Sequence, residues 1–286
     1  MNKAPGEARV VVVTGASDGV GASAARTLAG RGDQVILIGR SPAKTSAVAA
    51  ELGAESHVAD FAQLQQVRDL AAELRGRHQR IDVLLNNAGL IAGRQRTVTA
   101  DGHELTFQVN HLAPFLLTLL LKDRLVTAQG RVITTSSQAG AARDARVNLD
   151  DLDLAHGYTG LRAYKASKLA NVLFTRELAR RWDPLGVAAA AVHPGLVRSQ
   201  WGHSGPAAVR LFMKSPLRRM MRSPEQGADT LVWLSTTGPG TDWQSGGYFA
   251  DRKPASAKRD ADDPDLAAAL WERSALMCGL EPSDAA

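Results

Sequence analysis

Short aliphatic runs alternate with longer stretches of helical period along most of the chain. The run Val10-Val11-Val12-Val13 shows no apolar/polar alternation, which is the pattern of a strand covered on both faces. Strands are predicted at 9–14, 34–39, 55–59, 82–86, 131–135 and 187–193, with a late one at 247–250. Helical segments are predicted near 20–30, 42–52, 62–79, 101–128, 161–183 and 224–237, with a last one around 266–277. Strict alternation of the two kinds predicts an α/β fold: a doubly wound parallel sheet of about seven strands with helices on both faces. No repeat, linker or composition shift marks a second domain, so 1–286 is expected to be one domain. Two segments, 139–160 and 199–223, break the rhythm, and 250–263 reads as a polar surface loop.

Composition narrows the class. Hydrophobic residues make up 44% of the 286 positions and charged residues 22%, which suits a globular chain with a full core. The single Cys278 excludes an intrachain disulfide and points to a reducing compartment, so a cytoplasmic location is expected. Residues 1–9 contain no apolar h-region, so no signal peptide is expected there. The apolar run 112–121 is too short to span a bilayer and reads as a buried helix, and no stable membrane anchor is expected. The net charge of +5 is largely dispersed arginine, such as Arg176, Arg180 and Arg181. Without a basic run interleaved with aromatics, nucleic acid is not an expected partner; a basic balance instead helps to attract a phosphorylated cofactor.

The first strand runs into Thr14-Gly15-Ala16-Ser17-Asp18-Gly19-Val20-Gly21 and then a helix. Gly15 permits a tight turn, Gly19 lets backbone approach a pyrophosphate, and Gly21 lets the helix pack close to the strand. The helix N-terminus offers N–H groups to the anion, which makes this a dinucleotide site. The second strand ends at Gly39-Arg40-Ser41, where an NAD site would place an acidic residue on the ribose. A guanidinium at Arg40 suits a 2′-phosphate, so NADP(H) is favoured over NAD(H), although the anionic Asp18 works against a phosphate nearby. Further along, Tyr164 and Lys168 stand four residues apart on a predicted helix and share a face. A free phenol titrates near pH ~10, and an adjacent ammonium is expected to bring it towards the working pH for proton transfer. The seven histidines show no metal-ligand spacing, and no metal is expected.

Together these residues resemble the short-chain dehydrogenase/reductase family, a single-domain Rossmann fold. The resemblance is carried by the glycine motif 14–21, Asp60 after the third strand, Asn86-Asn87-Ala88-Gly89, Asn110, Ser136-Ser137, Tyr164-x-x-x-Lys168 and Pro194-Gly195. Within it the chain is most similar to the retinol-dehydrogenase and protochlorophyllide-reductase subgroup, through Asn148-Leu149-Asp150-Asp151-Leu152 and Tyr164-Lys165-Ala166-Ser167-Lys168-Leu169-Ala170-Asn171. The resemblance implies that Tyr164 is the acid or base and that Lys168 lowers its pKa and bonds the nicotinamide ribose. It implies that Ser137 binds the substrate oxygen, with Ser136 as the other register, and that Asn110 holds a water linking Lys168 to solvent. Gly15, Ser17, Asp18, Gly19, Val20, Gly21, Arg40, Asp60, Phe61, Asn87, Ala88, Gly89, Pro194, Gly195, Val197 and Ser199 are expected around the cofactor, with Tyr164 and Lys168.

The implied activity is interconversion of a carbonyl and an alcohol with NADP(H). Reduction of a conjugated C=C bond and cofactor sensing without catalysis are the alternatives, the latter disfavoured by the presence of all four of Asn110, Ser137, Tyr164 and Lys168. Residues 199–223 fall where such a family has its substrate lid. Their Trp201, Leu211, Phe212, Met213, Leu217, Met220 and Met221 suggest a lipophilic or polycyclic substrate, or else an ordinary amphipathic helix or a transient membrane contact. Oligomers built on the helices near 101–128 and 161–183 are a further possibility that the resemblance implies.

Overall fold

Successive residues of a strand face opposite sides of a sheet, so an unbroken valine run needs an apolar layer on each side. In the computed structural model, which describes residues 8–198 and 221–280, strand β1 (Val10–Thr14) has both. Val10 and Val12 enter one core, Val11 and Val13 the other. The same division runs through β2 (Gln34–Gly39), β4 (Val83–Asn86) and β5 (Arg131–Thr135). Ile36, Leu84 and Val132 lie with Val12, whereas Leu37, Leu85 and Ile133 lie with Val13. With β3 (Glu55–Val58), β6 (Ala188–Val192) and β7 (Gly247–Ala250) these strands form one parallel sheet in the order β3-β2-β1-β4-β5-β6-β7. An eighth strand, β8 (Lys253–Pro254), pairs antiparallel with the edge of β7. It went unforeseen because two residues, Lys253 and Pro254, carry no periodicity.

Helices α1 (Gly19–Ala29), α2 (Pro42–Leu52) and α8 (Pro224–Thr236) cover one face. The other is covered by α3 (Leu64–Arg77), the segment α4 (Leu105–Phe107) to α6 (Lys122–Ala128), α7 (Gly160–Trp182) and α9 (Pro264–Met277). Among the described residues no helix is long and apolar enough to cross a membrane. Strand order reverses between β1 and β4, and the crevice at their carboxyl ends is where open α/β sheets bind ligands.

Two expectations change. The segment 101–128 is not one helix: α4 leads into a π-helical turn at Gln108–Leu112, then α5 (Ala113–Leu120), with a break at Leu121 before α6. Pro114 has no N–H for the carbonyl of Asn110, and the Ala113 N–H bonds instead to the carbonyl of Gln108, five residues back. The stretch 250–263 is more than a surface loop, since Ala261 is buried and Lys258 Nζ donates to the carbonyl of Ala145 (2.7 Å). The chain's own α9 packs along α7. Trp271 packs on Phe115 and Phe174, with ring centroids 5.1 and 5.8 Å apart.

Candidate active site

The carboxyl ends of β1 and β4 are tied by a buried hydroxyl. Thr14 Oγ1 donates to the carbonyl of Leu85 (3.1 Å) and accepts from the N–H groups of Asn87 and Ala88 (3.0 Å each). Asn87 Nδ2 returns to the carbonyl of Thr14 (3.0 Å). These bonds press the glycine turn onto the Asn87-Ala88-Gly89 segment. Gly15, at φ +67°, has Ala88 Cα 2.8 Å from where a Cβ would sit. A Cβ on Gly21 would strike the Gly15 carbonyl and stand 2.5 Å from Asn87 Nδ2, so α1 reaches the strand only with glycine there. Asp18 caps α1, with Oδ1 accepting from the Gly19 N–H (2.7 Å). One of the amides expected to face an anion is thus taken by a side chain. The other Asp18 oxygen is 3.6 Å from Lys44 Nζ on α2.

At the end of β2, a Cβ on Gly39 would collide with Thr45 Oγ1 and lie 3.0 Å from Ser17 Cβ. Thr45 Oγ1 is itself held by the Ser41 carbonyl (2.7 Å). An acidic side chain has no room at 39 for reasons of packing alone. Arg40 follows, exposed, and Ser41 caps α2.

The two serines closing β5 separate cleanly. Ser136 Oγ donates to the carbonyl of Lys168 (2.6 Å) and is buried structure. Ser137 shares a hydrogen bond with the Tyr164 phenol. Lys168 lies with its Nζ 5.8 Å from the Tyr164 ring centroid and donates to the carbonyl of Thr135 (2.9 Å). Asn110 in the π turn donates from Nδ2 to the Leu90 carbonyl (2.9 Å) and to Ser167 Oγ (3.0 Å), and its Oδ1 accepts from the Leu90 N–H (2.8 Å). Both amide protons are used, so the side chain clamps the segment after β4 to α7 and does not donate to a water. A Cβ on Gly89 would be 3.1 Å from Asn110 Oδ1 and 3.4 Å from Lys168 Nζ, which brings Gly89, Asn110 and Lys168 to one point.

Other expected residues are spread more widely. Val20 and Val197 pack against Gly227 at the start of α8. Val197 pairs with Arg222, and Gly195 faces the Arg222 side chain, its N–H donating to His193 Nδ1 (3.0 Å). Asp60 Oδ1 accepts from the Ala62 N–H (3.1 Å). The Phe61 side chain is buried in the core, and its carbonyl accepts from Gln108 Nε2 (3.3 Å). Ser199 and the lid positions through 220 lie outside the described residues. Three residues escaped sequence reasoning: Thr14 as the strand tie, Lys44 beside Asp18, and Tyr248. The Tyr248 hydroxyl is buried without a hydrogen-bond partner among the described residues, and its pKa is raised by burial and by the field of Tyr164. Only the Thr14 hydroxyl, inside the glycine motif, left a local signal.

Residues 9–149 match the family profile described as short chain dehydrogenase. Over 95% of this chain and 93% of its own length, a candidate daunorubicin C-13 ketoreductase from Streptomyces sp. (strain C5) is 43% identical. The chain belongs to the short-chain dehydrogenase family. Human retinol dehydrogenase 13 is 38% identical over 98% of this chain and 87% of its own, in keeping with a retinol-dehydrogenase-like subgroup. Among solved structures, a candidate short chain dehydrogenase from Escherichia coli CFT073 complexed with NADPH superposes with a TM-score of 0.66, at 26% identity over 86% of this chain and 97% of that one.

The residues of this short-chain dehydrogenase fit a nicotinamide cofactor. The cradle at Gly15 and Gly21 admits nothing larger than hydrogen on the protein side, and Lys168 and Ser137 offer donors beyond Gly89. Burial sets the acid–base character. It pushes the Tyr164 phenol up to about 12, only partly offset by the Ser137 hydrogen bond, and pushes Lys168 down to about 7. The lowering of the phenol expected from its lysine neighbour is therefore reversed, because each group, once desolvated, favours its neutral form. No cluster of three metal-binding side chains occurs among the described residues.

Proposed function

We propose that this oxidoreductase interconverts a lipophilic carbonyl compound and its alcohol with NADP(H), within one dinucleotide-binding unit whose substrate lid is 199–223. The observation that carries it is the convergence of Ser137, Tyr164 and Lys168 beyond the glycine turn. The nicotinamide, when bound, supplies or accepts the hydride. Ser137 orients the reacting oxygen beside Tyr164. Tyr164, protonated at neutral pH in its buried setting, stands ready to give its proton to that oxygen, which is the requirement for reduction. Lys168, fixed by the Thr135 carbonyl, places positive charge by the phenol as the proton leaves.

The NADP preference is supported by the crowding at Gly39, by exposed Arg40, and by Lys44, which offsets the Asp18 charge. The names of the ketoreductase and retinol dehydrogenase relatives, a polycyclic ketone and a polyene alcohol, support a large apolar substrate. The test is NADPH consumption, with NADH in parallel, on anthracycline ketones, retinal and small aromatic ketones, with the products identified. Alcohol formed faster with NADPH on the large substrates is the expected result. Saturation of a C=C bond, or no turnover on any, would overturn the reading.

A further inference from the structure

Asn110 and His111 are consecutive in the π turn, and both reach α7. Asn110 bonds Ser167, as described, and His111 Nδ1 lies 3.3 Å from Asn171 Oδ1. On its other side His111 Nε2 is 2.9 Å from Ser274 Oγ on α9. Asn171 continues the line: its Nδ2 donates to the carbonyl of Thr135 (3.1 Å), the same oxygen that receives Lys168 Nζ (2.9 Å).

Donor and acceptor bookkeeping gives this line one direction. With Nδ2 donating to Thr135, the Asn171 oxygen facing His111 can only accept. His111 must then carry its proton on Nδ1, and its bare Nε2 accepts from the Ser274 hydroxyl. The imidazole is fully buried and held neutral, its pKa pushed down to about 4 by burial. The rings of Phe107, Phe115 and Phe174 surround it, and among the described residues no charged group faces it.

We infer that His111 is a positioning residue for Lys168: anchored by Ser274, it orients Asn171, which fixes the Thr135 carbonyl that holds the ammonium. The inference rests on the proposed role of Lys168 and touches neither substrate nor cofactor. It makes α9, far along the chain, part of the support of the proton relay. A carbonyl held in place stabilises the charged lysine, so releasing it lowers the lysine pKa.

Two NMR readouts on the intact protein test this without any turnover. Histidine labelled with ¹⁵N, assigned through His111→Asn, is expected to show His111 as the Nδ1–H tautomer, neutral at pH 7. Lysine labelled with ¹³C at Cε, assigned through Lys168→Met, reads the Lys168 midpoint. In His111→Leu that midpoint is expected to fall by about half a pH unit, whereas His111→Asn, which keeps a donor facing Asn171, restores it. An Nε2–H tautomer, or an unmoved midpoint in folded His111→Leu, overturns the inference. Should His111→Leu not fold, the tautomer decides. Failure of the reductase reading would show separately, as absent turnover with an intact Nδ1–H tautomer.

Discussion

Lys168 and Lys44 are both ammonium groups near the carboxyl edge of the sheet, yet their surroundings make them different instruments. Lys168 is 3% exposed, with the Thr135 carbonyl as its acceptor and the Tyr164 ring beside it. Lys44 stands half in solvent opposite an equally exposed Asp18. Burial turns the first into a group that titrates near neutrality, about 7, and raises the phenol it serves. Water and salt screen the second, so its pairing contributes little to stability and acts mainly on what charge the nucleotide pocket presents. Desolvation sets the behaviour of the first ammonium, and screening by water and salt that of the second.

The contrast is tested most severely at the buried end. Tyr164→Phe should lower kcat by about a thousandfold or more while changing NADPH affinity less than about twofold, measured by steady-state kinetics and fluorescence titration. An undiminished kcat would sink the relay.

Lys168→Met should also lose turnover, but its sharper reading is stability. The folded lysine titrates at about 7, below its ordinary 10.5. Below pH 7 it is charged in both folded and unfolded chains, so the burial penalty is fully present. Between pH 7 and 10.5 the folded state sheds its proton first and the penalty fades. Urea unfolding should show Lys168→Met more stable than wild type at pH 6, by up to several kcal/mol, with the advantage shrinking towards pH 10. A pH-independent difference would mean the lysine is not desolvated as described.

Gly39→Ala should cost about 1–3 kcal/mol through the collision with Thr45, seen as a lower Tm. A neutral effect would return cofactor choice at this point to charge rather than packing. Smallest is the exposed pair: a double-mutant cycle on Asp18 and Lys44 should give a coupling below about 1 kcal/mol. Lys44→Ala should nonetheless weaken NADPH more than NADH, and an unchanged ratio would remove Lys44 from the pocket.

The strand positions, the glycine turn and the Tyr164–Lys168 pair were legible because each is local. Period and turn chemistry act within a few residues, and four positions on a helix share a face whatever surrounds them. The Ser136/Ser137 choice was not local; it follows from which hydroxyl α7 meets, and the carbonyl of Lys168 claims Ser136. The same holds for the π turn, where Pro114 signalled an interruption but only packing against Leu90 and Ser167 shows how Asn110 is used. Burial of Lys168 and Tyr164, the packing at Gly39, and the reach of Ser274 to His111 all join residues distant in sequence. Sequence by itself determined which groups could do the chemistry. Tertiary structure decided their protonation and their partners, because desolvation and hydrogen bonding depend on every element packed around a group.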